Sequence, residues 1–72
     1  MSNLPPSPQT IFKAVIHAEE AGGYWAEVPD LRGCFTQGTT LDEIYHNLTE
    51  AISCHLGIDA VQVRVGLLEI AA

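Results

Sequence analysis

The 72-residue sequence predicts an α+β domain with element order β-β-β-α-β, a sheet ordered 3-2-1-4, and one helix on one sheet face. Three observations predict it. Short stretches rich in β-branched and aromatic residues alternate with Gly, Pro and Asp, the punctuation of strands and turns. A single stretch, Leu41 to Leu56, repeats its apolar residues at the helical period. A valine-rich run follows that helix, so the chain crosses over before rejoining the sheet, and the right-handed rule restricts where it lands.

Residues 1–9 hold Leu4 as the only large apolar side chain after Met1, with Pro5, Pro6 and Pro8 behind it, and read as an extended arm. The first strand is predicted from Thr10 to His17. Phe12, Ala14 and Ile16 share one face; Ile11, Val15 and His17 share the other, with Lys13 among them. Two largely apolar faces ask for an interior position, which puts the last strand beside the first. Glu19 to Gly23 forms the hairpin connection, its two glycines permitting a tight reversal. Tyr24 to Val28 is the second strand, closed by Pro29, which has no N–H for the ladder. Asp30 and Gly33 supply a turn, and Cys34 to Gln37 returns antiparallel until Gly38 breaks it.

Thr40-Leu41-Asp42-Glu43 is a capping box, so the helix starts at Leu41. Leu41, Ile44, Tyr45, Leu48, Ala51, Ile52, His55 and Leu56 fall in an arc of about 140°, wide enough for a core-facing stripe. Gly57 suits the left-handed position that ends a helix. The last strand is predicted from Ala60 to Ile70, with Val61, Val63 and Val65 on one face and a bulge at Gly66. Neither an internal repeat nor a second domain is visible.

The string Tyr24-x-Ala26-x-x-Pro29-Asp30-Leu31-x-Gly33-Cys34-x-Thr36-x-Gly38-x-Thr40-x-x-Glu43 resembles the HicB family, the antitoxin half of HicA–HicB toxin–antitoxin pairs. The likeness continues through Leu48, Glu50, Ala51 and Ile52 and back to the strand at Phe12 to Ile16. Arg32 stands where the family often has Pro, and Ile44 where it often has Ala; a turn and a helix accommodate both. The resemblance implies a partial ribonuclease-H-like fold, with residues 10–72 forming a single HicB-like domain. It implies a non-catalytic protein that covers the active site of HicA, a small basic ribonuclease acting on mRNA. Many HicB proteins also carry a C-terminal DNA-binding module; with the sequence ending at Ala72, none is expected here.

Composition narrows the function classes. Apolar residues form 47% of the chain, too many for disorder at this charge content. No apolar run reaches membrane-spanning length, no signal-peptide pattern opens the chain, and the two cysteines lack framework spacing. The expectation is a cytoplasmic protein with free thiols. The net charge of −6, with only Lys13, Arg32 and Arg64 positive, argues against direct nucleic-acid binding. It suits a basic protein partner, although acidic surfaces also serve plain solubility. So small a chain buries only about 60% of its unfolded surface, and the sheet face carrying Ile11, Val15 and Trp25 has little intrachain cover; together these favour a homo-oligomer, most simply a two-fold dimer.

Enzymatic chemistry finds little support. A nuclease needs carboxylates converging on a metal, and here the acids scatter over the hairpin tip, a strand, a turn and the helix. His17, His46, His55, Cys34 and Cys54 have no metal-ligand spacing, so no metal or cofactor is expected, and a Cys34–Cys54 disulfide is not expected either. Trp25 alternates with Tyr24, so only one of them faces the helix. Tryptophan is enriched at interface hot spots, and the competing reading is a peripheral cluster within the monomer. The expected partner-binding residues are Trp25, Glu27, Asp30 and Arg32, grouped at the exposed end of the central hairpin. The alternative to an antitoxin is a solitary HicB-like scaffold or small-molecule-binding module.

Overall fold

A computed structural model describes residues 10–71; the arm expected over residues 1–9 lies outside the described residues. The elements are β1 (Ile11–Ala18), β2 (Tyr24–Glu27), β3 (Phe35–Gly38), α1 (Leu41–Leu56) and β4 (Arg64–Ala71), with a single 3-10 turn at Ala60–Gln62. They build one four-stranded sheet of order β3-β2-β1-β4, as expected. β1 pairs antiparallel with β2 and parallel with β4, and β2 pairs antiparallel with β3.

The core lies between the helix and one face of the sheet. Phe12, Ala14 and Ile16 of β1, Ala26 of β2, and Val28 and Cys34 from the turn meet Ile44, Leu48 and Ile52 of α1. The three helical residues are completely buried, and each contributes about 1.5–3 kcal/mol through lost apolar exposure. Tyr45, Ala51 and Leu56 flank that stripe, half-buried. Two members of the predicted arc are exposed, Leu41 in the first turn of the helix and His55 in its last turn.

The helix start differs from the predicted box in one arm. The Glu43 N–H donates to Thr40 Oγ1 at 3.1 Å, as expected. The Glu43 carboxylate, however, accepts from the Thr39 N–H at 3.1 Å and the Thr39 hydroxyl at 3.2 Å. Thr39 offers two donors where Thr40 offers one backbone N–H, so the carboxylate takes the former. Gly57 ends the helix at φ 68°, its N–H donating to the Ser53 carbonyl.

The segment after the helix corrects the sequence reading. Ala60–Gln62 is a 3-10 turn rather than the start of a strand, because the Asp59 side chain accepts from the Val61 N–H and caps it. Val61 is consequently 86% exposed rather than part of a strand face. The register slip in the β1–β4 ladder places the extra residue at Leu68, with Ala14 opposite Leu67 and Val15 opposite Glu69. Gly66 is needed for another reason: a Cβ there would lie 2.8 Å from Ile11 Cγ2.

Candidate partner-binding face

Alternation along the central hairpin sorts its side chains. Tyr24, Ala26 and Val28 face the helix, so Trp25 and Glu27 face the opposite side. Register then decides their neighbours. His17 of β1 lies opposite Trp25, and Gln37 of β3 flanks Trp25 on the other side. Phe35 lies opposite Glu27, which makes it the diagonal neighbour of Trp25.

The His17 and Trp25 rings stack with centroids 3.9 Å apart and planes inclined by 7°. His17 Nε2 lies 3.0 Å from Glu27 Oε2. A carboxylate only accepts, so Nε2 carries the hydrogen and donates it. Trp25, His17 and Glu27 therefore hold one another: the ring stack fixes the imidazole plane, and the hydrogen bond fixes the carboxylate. Protonation of His17 would turn the same contacts into an ion pair and a cation over the indole face.

Phe35 stands beside this group, 67% exposed. Trp25 and Phe35 border two grooves. One, of about 730 Å³, is walled also by Glu19, Thr36 and Gln37. The other runs toward the β2–β3 turn and includes Glu27 and Arg32. Of the four residues expected to meet a partner, Trp25, Glu27 and Arg32 thus come together, whereas Asp30 is exposed at the turn and borders neither groove. His17 and Phe35 were not among the expected residues. The alternation pattern put His17 on this face, but pairing it with Trp25 needs the hairpin register. Val15, also on this face, is nonetheless buried, because Glu27 and Glu69 flank it on the neighbouring strands.

Other chemistry is sparse. Cys34 and Cys54 are both free thiols. Cys34 is buried, and desolvation pushes its thiol pKa above the ordinary value. No group of three or more His, Cys, Asp or Glu side chains fit to hold a metal occurs among the described residues. No helix among them is long and apolar enough to cross a membrane.

Residues 12–65 match the family described as "HicB_like antitoxin of bacterial toxin-antitoxin system". The chain belongs to this HicB-like antitoxin family. The match runs from β1 through the first residues of β4, so it covers the whole aromatic face. A UPF0150 protein of Archaeoglobus fulgidus is 36% identical over 67 residues, spanning 76% of this chain and 97% of that protein. A UPF0150 protein of Helicobacter pylori is 45% identical over 47 residues, 65% of this chain and 64% of its own length. An uncharacterized 14.9 kDa protein of Haemophilus phage HP1 is 53% identical over 34 residues, 47% of this HicB-like chain and 26% of the phage protein. No solved structure matches.

Proposed function

We propose that the protein is a cytoplasmic antitoxin that binds and neutralises a small HicA-type mRNA ribonuclease by covering it, without catalysis of its own. The family match over residues 12–65 carries this reading. The face bearing Trp25 and Phe35 supports its location, because α1 packs on the opposite side and leaves these aromatics accessible. A rigid aromatic pair beside charged groups is the composition of an interface centre with its rim. The partner-contacting set is Trp25, Glu27 and Arg32 with His17 and Phe35 added; Asp30 sits at its edge. The net charge of −6 suits a basic toxin and speeds encounter with it. The domain itself makes no direct nucleic-acid contact, and it works as a homo-oligomer.

Co-expression with the product of a short neighbouring reading frame tests the proposal. Relief of growth arrest, with a complex on gel filtration, is the expected result. Arrest that persists with no complex would overturn the antitoxin reading and leave a solitary binding module, for which the 730 Å³ groove beside Trp25 is the natural site.

A further inference from the structure

β4 is an edge strand: among the described residues, β1 is its only neighbour in the sheet. It is an unusual edge. It runs eight residues, Arg64–Ala71, and leaves Leu67, Leu68 and Ile70 exposed. Long apolar edges invite pairing, and proteins that stay monomeric blunt them with charge, Pro or brevity. The opposite edge, β3, is blunted by being only four residues long. Val63 and Val65 join the core beneath α1, but Leu67 and Ile70 lie past its reach on the same side.

The register with β1 assigns each β4 residue to a face. Val65, Leu67 and Ile70 pair with the helix-facing Phe12, Ala14 and Ile16, so they point to the helix side. Arg64, Gly66 and Glu69 pair with Ile11, Lys13 and Val15 and point to the open side. Leu68 is the extra residue of the bulge.

We infer that β4 pairs antiparallel with β4 of a second copy, about a two-fold axis passing by Gly66. In this register Arg64 faces Glu69 of the partner subunit on the open side, and by symmetry Glu69 faces Arg64 of the partner subunit. On the helix side Val65 meets Leu67 of the partner subunit, and Val63 meets Ile70 of the partner subunit. Gly66 meets its own symmetry mate, where the strands are closest. Shifting the register by two residues toward the C-terminus sets Arg64 against Ala71 and Glu69 against Gly66, leaving both charges unpaired. The self-complementary register therefore selects a second copy of this chain over a strand of unrelated sequence. The result is one continuous sheet of doubled width. Both helices lie on the same side of it, with Leu67 and Ile70 of each subunit filling the trough between them. The Trp25 face stays open in both subunits, so this inference does not rest on the antitoxin reading.

The test is sedimentation equilibrium of the full chain at micromolar concentrations, with a charge-swap series. Wild type is expected to dimerise. Arg64→Glu and Glu69→Arg each bring like charges opposite one another twice per dimer, and each should weaken dimerisation roughly tenfold or more. The double variant Arg64→Glu/Glu69→Arg restores opposite pairs and should recover most of the affinity. Both positions are exposed, so circular dichroism of each variant should remain that of wild type. A monomeric wild type overturns the inference, as does a dimer indifferent to the single reversals or a double variant no better than the singles. Hydrogen exchange of wild type gives a second reading: β4 amides should gain protection with rising concentration. Protection of the β4 amides in a sample that sediments as a monomer means that residues of the same chain cover the edge, and it excludes the dimer. Loss of toxin binding with an intact dimer, or the reverse, separates the fate of the two proposals.

Discussion

Replacing Trp25 with Ala removes the centre of the open face while leaving the core beneath α1 untouched. The structure sets two separate costs. Within the monomer, Trp25 is half-buried and stacks on His17 at 3.9 Å. An aromatic stack contributes about 0.5–1.5 kcal/mol beyond buried area, so the folding cost of Trp25→Ala should be about 1–2 kcal/mol. In the complex, a fully desolvated aromatic anchor contributes about 2 kcal/mol or more, roughly a thirtyfold rise in Kd. The loss should appear chiefly as faster dissociation. Trp25→Phe keeps a ring plane for His17 and should lie near wild type in stability, with an intermediate Kd. Biolayer interferometry against an inactivated toxin reads both rate constants, and urea denaturation of the free variants reads the folding cost. A Kd within twofold of wild type for a folded Trp25→Ala would refute the placement of the anchor. Equal losses for Ala and Phe would refute the role given to the ring.

Three further outcomes are expected. Thr40→Ala deletes the acceptor for the Glu43 N–H and should lower stability by about 1 kcal/mol; an unmoved denaturation midpoint would show that Thr39 and Glu43 alone hold the helix start. Gly38→Ala should cost about 1–3 kcal/mol, because its Cβ would sit 3.2 Å from the Ile44 backbone nitrogen and 3.3 Å from Glu43 Cβ, where α1 itself must shift; thermal melts would show it. Alkylation followed by mass spectrometry should label exposed Cys54 quickly and buried Cys34 only on unfolding. Burial raises the Cys34 pKa in the native state, so its share of stability is whole below the unfolded thiol's pKa and is lost as pH rises above it.

The parts of the fold legible in the sequence are those fixed by adjacent residues. Helix α1 runs over Leu41–Leu56 as read, since an N-cap, a helical apolar period and a left-handed glycine all act within a few residues of where they stand. The sheet order was legible for a different reason: two apolar faces on β1 leave it no place but the interior. The Val-rich stretch after the helix misled, because β-propensity predicts strand while one side-chain bond, Asp59 to the Val61 N–H, holds a 3-10 turn. A capping bond of about 1 kcal/mol decides the conformation where no sheet neighbour competes for the backbone. The bulge in the last strand was expected at Gly66, but its extra residue is Leu68, two positions on, because the slip is set by the ladder with β1 and not by the glycine.

The face was legible only in part, for the same reason. Trp25 and Glu27 follow from alternation; Asp30 and Arg32 were grouped with them by nearness in sequence, and only Arg32 reaches a shared groove. His17 and Phe35 come from other strands and are set beside Trp25 by register. This difference bears on how the two open surfaces are used. On the face, the polar groups near the aromatics already have partners, His17 with Glu27, so it tolerates water and can be left and rejoined by an exchangeable partner. At the β4 edge, a row of backbone groups has no strand partner among the described residues and lies beside exposed Leu67, Leu68 and Ile70, a combination that water satisfies only for the backbone. A surface of the second kind is better closed by a copy of itself. The first kind suits an exchangeable partner, the role proposed here for a toxin.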